Sequence, residues 1–247
     1  MIFLIFFLIL NTPLNQYRMN SKCEQCMIRE LNSLKELTKE ELVRISHCKT
    51  VKTIKKGEIL FDEGEYINGV FCIKSGVCKI SKMSDNGREQ IVHLTQKGNL
   101  LGERSLITNE TANLKATALN DMEVCFIPRN EIVKDLKDNN NFSLDILKRM
   151  AYSLKNTDNA MVDLAQKSVK QRMAITLLYL EDTFGVNEND AINITLNRND
   201  IAGIAGTTIE STIRLLSTFK KNGYIKLQNK SIILLDKKNL KNLSENL

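Results

Sequence analysis

Histidine is nearly missing from this chain: only His47 and His93 occur, far apart in the sequence. A metal-dependent jelly-roll enzyme needs several His and carboxylate ligands converging on one ion, so that class is disfavoured. Nothing points to a Ser-His-Asp or Cys-His catalytic unit, and the chain is read as a non-enzyme. Long apolar runs are also missing. The stretch from Ile2 to Leu10 is almost wholly apolar, yet it falls short of the ~18 to 20 residues that span a bilayer. It has neither a basic flank before it nor a small-residue cleavage site after it, which argues against a signal peptide. Met19, opening MNSKCEQC, is the more natural first residue, so residues 1–22 are expected to be a hydrophobic or flexible tail from an upstream start codon. A membrane anchor is the minority reading. Without an export signal, the six cysteines read as reduced thiols in the cytoplasm.

What is present describes a globular chain long enough for two domains: 247 residues, 43% apolar, 26% charged, net charge +6. From Lys167 onward, twelve Lys or Arg face eight Asp or Glu, a basic balance compatible with phosphate binding.

The most informative stretch runs from Leu196 to Tyr224. Asn197 or Asn199 can cap a first helix with Asp200 in its first turn, and Ile201, Ala202, Ile204 and Ala205 give it an apolar face. Gly206 breaks that helix. Thr207 and Thr208 open a second one running to about Asn222, with Gly223 as its C-terminal cap. This is a helix-turn-helix pattern. At about 100° per residue, Thr212, Leu215, Leu216 and Phe219 fall on one face, while Glu210, Ile213, Arg214 and Ser217 fall on the other. Such a split lets one face hold the domain while the other reaches base edges in the major groove. Arg donates two hydrogen bonds to guanine and a carboxylate accepts from cytosine, so Glu210 and Arg214 could share one G·C pair. The competing readings are a surface ion pair between them and a Thr207/Glu210 capping box.

Earlier in the chain, Ile28, Leu31, Leu34 and Leu37 recur at helical spacing, and Thr38 with Glu41 predicts a capping box for a short helix ending near His47. From Val51 to Pro128 short β-rich runs are punctuated by Gly57, Gly64, Gly69, Gly76, Gly87 and Gly98, with Asn86-Gly87 a hairpin signal. Regularly spaced short strands predict a sandwich or jelly roll. Between Phe142 and Ala165 there is neither Gly nor Pro. Leu147, Met150, Leu154, Thr157, Met161 and Leu164 alternate at spacings of three and four, a heptad-type seam that suits a dimer helix or packing on the roll. SVKQRMAITLLYLEDTFG predicts an amphipathic helix ending at Gly185, INITL a short strand, and YIKLQ with SIILLD a hairpin whose turn carries Asn229 and Lys230.

The segments NRNDIAGIAG and GTTIESTIRLL resemble the helix-turn-helix of the catabolite-activator/FNR superfamily of bacterial transcription regulators. That resemblance implies an α+β chain: a β-roll of cyclic-nucleotide-binding type at 23–128 with a Cys-containing arm, a dimerisation helix region at 129–166, and a winged helix-turn-helix at 167–247. It implies base contacts by Glu210, Ser211, Ile213, Arg214 and Ser217, and phosphate contacts by Arg198, Thr207 and Thr208, with Lys230 in the wing. Ile213 stands where the FNR branch carries Ser. Implied partners are a second copy of the chain, near-palindromic double-stranded DNA and RNA polymerase.

Two sensor chemistries follow from the same resemblance. A cyclic-nucleotide cassette is half present, as Gly102 and Glu103. Its Arg and Ser positions fall on Ala112 and Asn113, and Arg104 is displaced, so cAMP is disfavoured. The FNR branch holds an iron–sulfur cluster with three arm cysteines and one in the roll. Cys23, Cys26 and Cys125 match, and the third arm position falls on Asn32. Cys48 is a candidate substitute. Zinc on Cys23 and Cys26 with Cys48 or His47, or a thiol–disulfide switch of Cys23 and Cys26, stay open. Cys72 and Cys78 read as core residues. The expected function is a dimeric DNA-binding regulator answering a redox, oxygen or nitrosative signal. A cyclic-nucleotide regulator, and a metal or redox adaptor that does not read DNA, are the alternatives.

Overall fold

The computed structural model describes residues 22–245. The apolar run at Ile2–Leu10 lies outside them. The arm from Cys23 to Glu36 is three short 3-10 turns rather than an α-helix. Ile28, Leu31, Leu34 and Leu37 are spaced uniformly by three, which matches the three residues per turn of a 3-10 helix. The capping box forms as expected, Thr38 and Glu41 opening α1 (Lys39–Cys48).

Eight strands follow: β1 (Thr50–Ile54), β2 (Ile59–Phe61), β3 (Gly69–Ser75), β4 (Val77–Met83), β5 (Glu89–Gln96), β6 (Leu100–Leu101), β7 (Lys115–Ala118) and β8 (Met122–Pro128), with α2 (Glu103–Thr108) between β6 and β7. They form two four-stranded sheets, β1-β8-β3-β6 and β2-β7-β4-β5, the two walls of a jelly roll. The expected hairpin at Asn86-Gly87 joins β4 to β5. Alternation sorts the side chains of the first sheet. Phe71, Ile73 and Val124 face the interior of the roll, whereas Val70, Cys72, Cys125 and Ile127 face outward into a second core with the arm, α1 and the helices that follow.

Two helices cross that outer core, α3 (Arg129–Asp138) and α4 (Asn140–Gln166). The sequence predicts a single helical region over 129–166. The structure divides it at Asn139, whose side chain accepts from Phe142 N–H and caps α4. Beyond α5 (Val169–Phe184), the INITL segment is not a strand. Ile192 makes only an isolated bridge to Val186 and donates its N–H to Ile232 O, because Ala191, Ile192 and Leu196 are buried as anchors along an irregular path. Then come α6 (Arg198–Ala205), α7 (Ile209–Lys221), β9 (Ile225–Gln228), β10 (Ser231–Leu234) and α8 (Lys237–Glu245). α8 was not anticipated. Its signal was Asp236, whose carboxylate accepts from Asn239 N–H, followed by Leu240 and Leu243, which pack in the core of this domain.

This C-terminal domain is not free of the roll. Lys79 on β4 bonds both Glu89 (2.7 Å) and Asp200 of α6 (2.9 Å), and all three side chains are largely buried. Gly203 faces β5 so closely that a Cβ there would stand 3.0 Å from Glu89 O. Removing one partner of a buried ion cluster leaves uncompensated charge, at a cost of ~3–5 kcal/mol. Lys79→Met is therefore expected to destabilise the chain by that order and to expose α6. Urea unfolding read by circular dichroism, with proteolysis mapping of the α6 region, checks this.

Candidate nucleic-acid interface and signal site

Asn197, not Asn199, caps α6, in a reciprocal box with Asp200. Gly206 ends α6 in the left-handed region (φ 62°), a conformation that costs Gly little and other residues more. The turn is held by Arg172 of α5, whose guanidinium donates to Ala205 O at 2.9 Å and Gly206 O at 3.0 Å. Sequence reasoning missed this residue, since nothing local marks an Arg on one helix as the C-terminal cap of another. Thr208 caps α7 by accepting from Ser211 N–H. This corrects the Thr207/Glu210 box: Thr207 instead donates its backbone N–H to Ala202 O.

α7 shows the expected two faces. Thr212, Leu216 and Phe219 are fully buried and Leu215 is half-buried. Glu210, Ile213, Arg214 and Ser217 are exposed, with Ser211, Thr207 and Thr208 half-buried beside them. The surface ion pair weighed for Glu210 and Arg214 is not formed among the described residues. Glu210 instead leans on its own backbone N–H and the Thr208 hydroxyl, both of which hold its carboxyl below the usual value. Arg198 is half-buried with its Nη1 buried and lacking an acceptor. Lys230, in the β9-β10 turn, is exposed on the rim of a crevice shared with Lys56 and Gly57 of the roll.

Of the seam on α4, Leu147, Leu154, Met161 and Leu164 are exposed, as is Thr157. Met150 is half-buried against the outer core instead.

Two features lie on the sensor side. A cavity of about 470 Å³ opens between the roll and α4, lined among others by His93, Gly102, Glu103, Arg104, Asn113 and Arg149. Glu103 is half-buried there, with its Oε2 enclosed and unpartnered, and desolvation of the carboxyl raises its pKa to about 7. His93 has a buried, unpartnered Nε2, and burial followed by the charge of Arg104 lowers its pKa. Ala112, at the position where the resemblance implies a phosphate-binding Arg, is buried in the wall and brings no charge. Arg104, displaced in sequence, nonetheless lines the cavity and donates to Ser153 of α4 at 3.1 Å.

The second feature is the cysteine arm. Cys23, Cys72 and Cys125 are buried and Cys26 is half-buried, whereas Cys48 and His47 are exposed at the end of α1. Charge on Cys125, Cys26 or Cys23 would act on the Cys72 thiol. Four thiols are the usual complement for an iron–sulfur cluster or structural zinc, so the donor chemistry fits. Among the described residues no group of three such donors is yet placed to hold a metal ion. The arm also touches α4: Arg149 Nη1 donates to Leu31 O at 3.3 Å and Lys35 pairs with Asp145 at 3.6 Å.

A double-walled roll linked by a long helix to a winged helix-turn-helix, whose second helix keeps a polar face free, defines a DNA-binding regulator. Comparison with known proteins agrees. Residues 51–139 match the model of the cyclic nucleotide-binding domain, and 171–243 that of the Crp-like helix-turn-helix domain. The chain is 30% identical over 192 residues to the anaerobic regulatory protein of Bacillus subtilis, covering 76% of this chain and 81% of that protein. It is 27% identical to the transcriptional activator protein Anr of Pseudomonas aeruginosa, covering 87% and 88%. A solved Crp/Fnr-family transcriptional regulator from Thermus thermophilus shares its fold, with a TM-score of 0.65 at 23% identity, covering 79% and 98%. The chain belongs to the Crp/Fnr family of transcription regulators and is not an enzyme. Among the described residues, no helix is long and apolar enough to cross a membrane.

The Glu103 carboxyl gives a pH test. Its folded pKa of about 7 lies above the ordinary glutamate value of 4.5, so the folded state binds the extra proton between those values. Its contribution is then fully present below the lower value and lost as pH rises through the upper one. Glu103→Gln does not titrate, so its stability relative to wild type is expected to rise across that window and level off above it. Chemical denaturation of both proteins at a series of pH values measures the difference.

Proposed function

We propose that the protein is a homodimeric, sequence-specific regulator whose two α7 helices enter successive major grooves of a near-palindromic operator. The observation that carries this is the free polar face of α7, with Arg214 and Glu210 exposed one turn apart while the opposite face is buried. In each half-site Arg214 donates to guanine O6 and N7, and Glu210 accepts from the cytosine amino group. Ile213 offers apolar contact to a thymine methyl, and Ser211 and Ser217 flank it. Arg198, Thr207 and Thr208 approach the phosphates, and Lys230 extends the wing toward the backbone. The groove contacts specify sequence, and the phosphate contacts set register. RNA polymerase is the downstream partner.

The dimer forms through the exposed stripe of α4 that Leu147, Leu154, Thr157, Met161 and Leu164 present beyond the roll, with Met150 at its base. Among the described residues, Leu147, Leu154 and Met161 of this stripe are exposed, and Leu164 at its end is partly covered by the Gly206 turn. The signal enters at the cysteine arm and is redox, oxygen or nitrosative in character. Its route is short, because the arm reaches α4 through Leu31 with Arg149 and through Lys35 with Asp145. A signal that favours one dimer arrangement over the other then changes DNA affinity. A bound group on the arm cysteines would supply the redox chemistry. The chain's own part is to hold it against the roll and pass arm position to α4. A small-molecule effector in the cavity is the second reading, favoured by the unpartnered Glu103 and His93 atoms that line it.

Arg214→Ala is expected to lose discrimination at one G·C pair per half-site, at ~1–3 kcal/mol, while retaining salt-dependent non-specific binding. Gel retardation on operators altered at that pair tests this, and equal binding of both proteins to all sequences would favour an adaptor that does not read DNA. Leu154→Glu with Met161→Glu is expected to give monomers by sedimentation and to weaken operator binding. A variant that sediments like wild type removes the α4 interface from this scheme.

A further inference from the structure

We infer that the DNA interface does not end at α7 but runs onto the roll, where Arg88 of the β4-β5 hairpin supplies a phosphate contact beside each recognition helix. This rests on the reading of α7 as the base-contacting helix, and it adds a DNA-binding residue from the sensor domain.

The docking of α6 sets the direction. Asp200, in its first turn, is held by Lys79 of β4 at 2.9 Å, and Lys79 lies opposite Leu94 of β5. Three residues on, a Cβ at Gly203 would stand 3.0 Å from Glu89 O and 3.2 Å from Ile91 Cγ1. Past the last turn, a Cβ at Gly206 would stand 3.4 Å from Gln90 Oε1. The helix therefore advances along the hairpin from the level of Leu94 toward its turn, and it delivers the first turn of α7 to the end from which Arg88 projects. The electrostatics agree. After its own backbone N–H and the Thr208 hydroxyl, the charge of Arg88 also holds the Glu210 carboxyl below its usual value. The roll thus places a cation near Glu210, the residue that opens the exposed face of α7.

The hairpin fixes the backbone of Arg88 and leaves its side chain free. Ser84 N–H donates to Arg88 O at 2.9 Å, the Ser84 hydroxyl donates to the same oxygen at 2.8 Å, and Arg88 N–H donates to Asn86 Oδ1 at 3.1 Å. The side chain is exposed and forms no ion pair among the described residues. Neighbouring charges are committed elsewhere. Glu89 accepts from Lys79 and from Ser81, each at 2.7 Å, and Lys82 donates to Glu63 at 2.6 Å. The carboxylate next to Arg88 in sequence is therefore compensated within the clasp.

A helix seated in the major groove has phosphates along both sides, and a guanidinium fork matches phosphate oxygens. In the free protein the nearby anion for Arg88 is Glu210. Once Glu210 accepts from a base, a phosphate at the groove edge takes its place. Such a contact sets register and carries no sequence information. Because Arg88 belongs to the roll, it is made only while α6 stays docked on β4 and β5, so DNA affinity depends on that docking.

The test uses the full chain and a duplex selected by wild type from a random-sequence pool. Affinity is measured by fluorescence anisotropy over a salt series for wild type, Arg88→Ala, Arg88→Lys and Lys137→Ala. Lys137 is exposed in the last turn of α3, which packs on the outer core rather than on β4 and β5, so its loss controls for net charge. With Arg88→Ala the slope of log affinity against log salt is expected to become shallower by ~0.9 for each subunit bound, and affinity at ~0.1 M salt to fall roughly ten- to hundredfold. The ratio between duplexes altered at the Arg214 base pair is expected to stay as in wild type. Arg88→Lys and Lys137→Ala are expected to keep the wild-type slope. Ethylation interference is expected to show one phosphate per half-site that wild type needs and Arg88→Ala does not. Unchanged slope and affinity in Arg88→Ala overturns the inference and leaves the hairpin to a protein partner. Tighter binding overturns it by making Arg88 a mask on Glu210, and an equal loss in Lys137→Ala overturns it as a net-charge effect. In each of those cases wild type still selects a duplex. Failure of wild type to retain any duplex from the pool instead overturns the reading of α7 itself.

Discussion

Helix α6 is buried on two sides at once, and that constraint organises everything beyond the roll. One side meets β4 and β5, where Lys79 satisfies Asp200 and Gly203 admits the strand backbone. The other carries Ile201 and Ala205 into the core shared with α5, α7 and α8. An eight-residue helix is too short to persist in water by propensity, so its position depends on these contacts and on the Arg172 cap at its end. Because α7 is packed on α6, the direction in which Arg214 points is fixed by the same contacts.

The sensor and reader are joined twice. One connection is this clasp between α6 and β4-β5. The other is α4, 27 residues long and so spanning about 40 Å. Only its first turns pack on the outer core, through Phe142, Ile146 and Met150. The remainder carries an apolar stripe that is exposed among the described residues, an arrangement that suits an interaction surface. Both proposed signal sites adjoin that helix: the cavity through Arg104 and Ser153, the arm through Leu31 and Arg149. A change at either site therefore has a mechanical path to the proposed dimer interface without crossing the roll.

Much of the reader was legible because its signals are local. Asn197 with Asp200, Gly206 and the split of α7 into buried and exposed faces each depend on residues within a few turns of one another. The same holds for the Thr38/Glu41 box and the Asn86-Gly87 hairpin. The failures have the opposite origin. INITL reads as a strand by composition, yet its neighbours leave it only one bridge. The arm reads as α-helix until its spacing of three is taken literally. The Thr207/Glu210 box fits the spacing rule, but Thr208 takes the cap.

By itself the sequence determined the run of short strands in the roll, the helix-turn-helix with its hairpin, and which face of α7 is apolar, since capping and periodicity act over a few residues. Only the tertiary structure decided which distant groups meet: Lys79 with Asp200, Arg172 with the end of α6, Arg104 with the cavity, and Cys72 with Cys125 beneath Asn32. Those pairings follow from strand register and domain docking. Both are set by the total burial of two cores rather than by any neighbouring residue, so no local pattern encodes them.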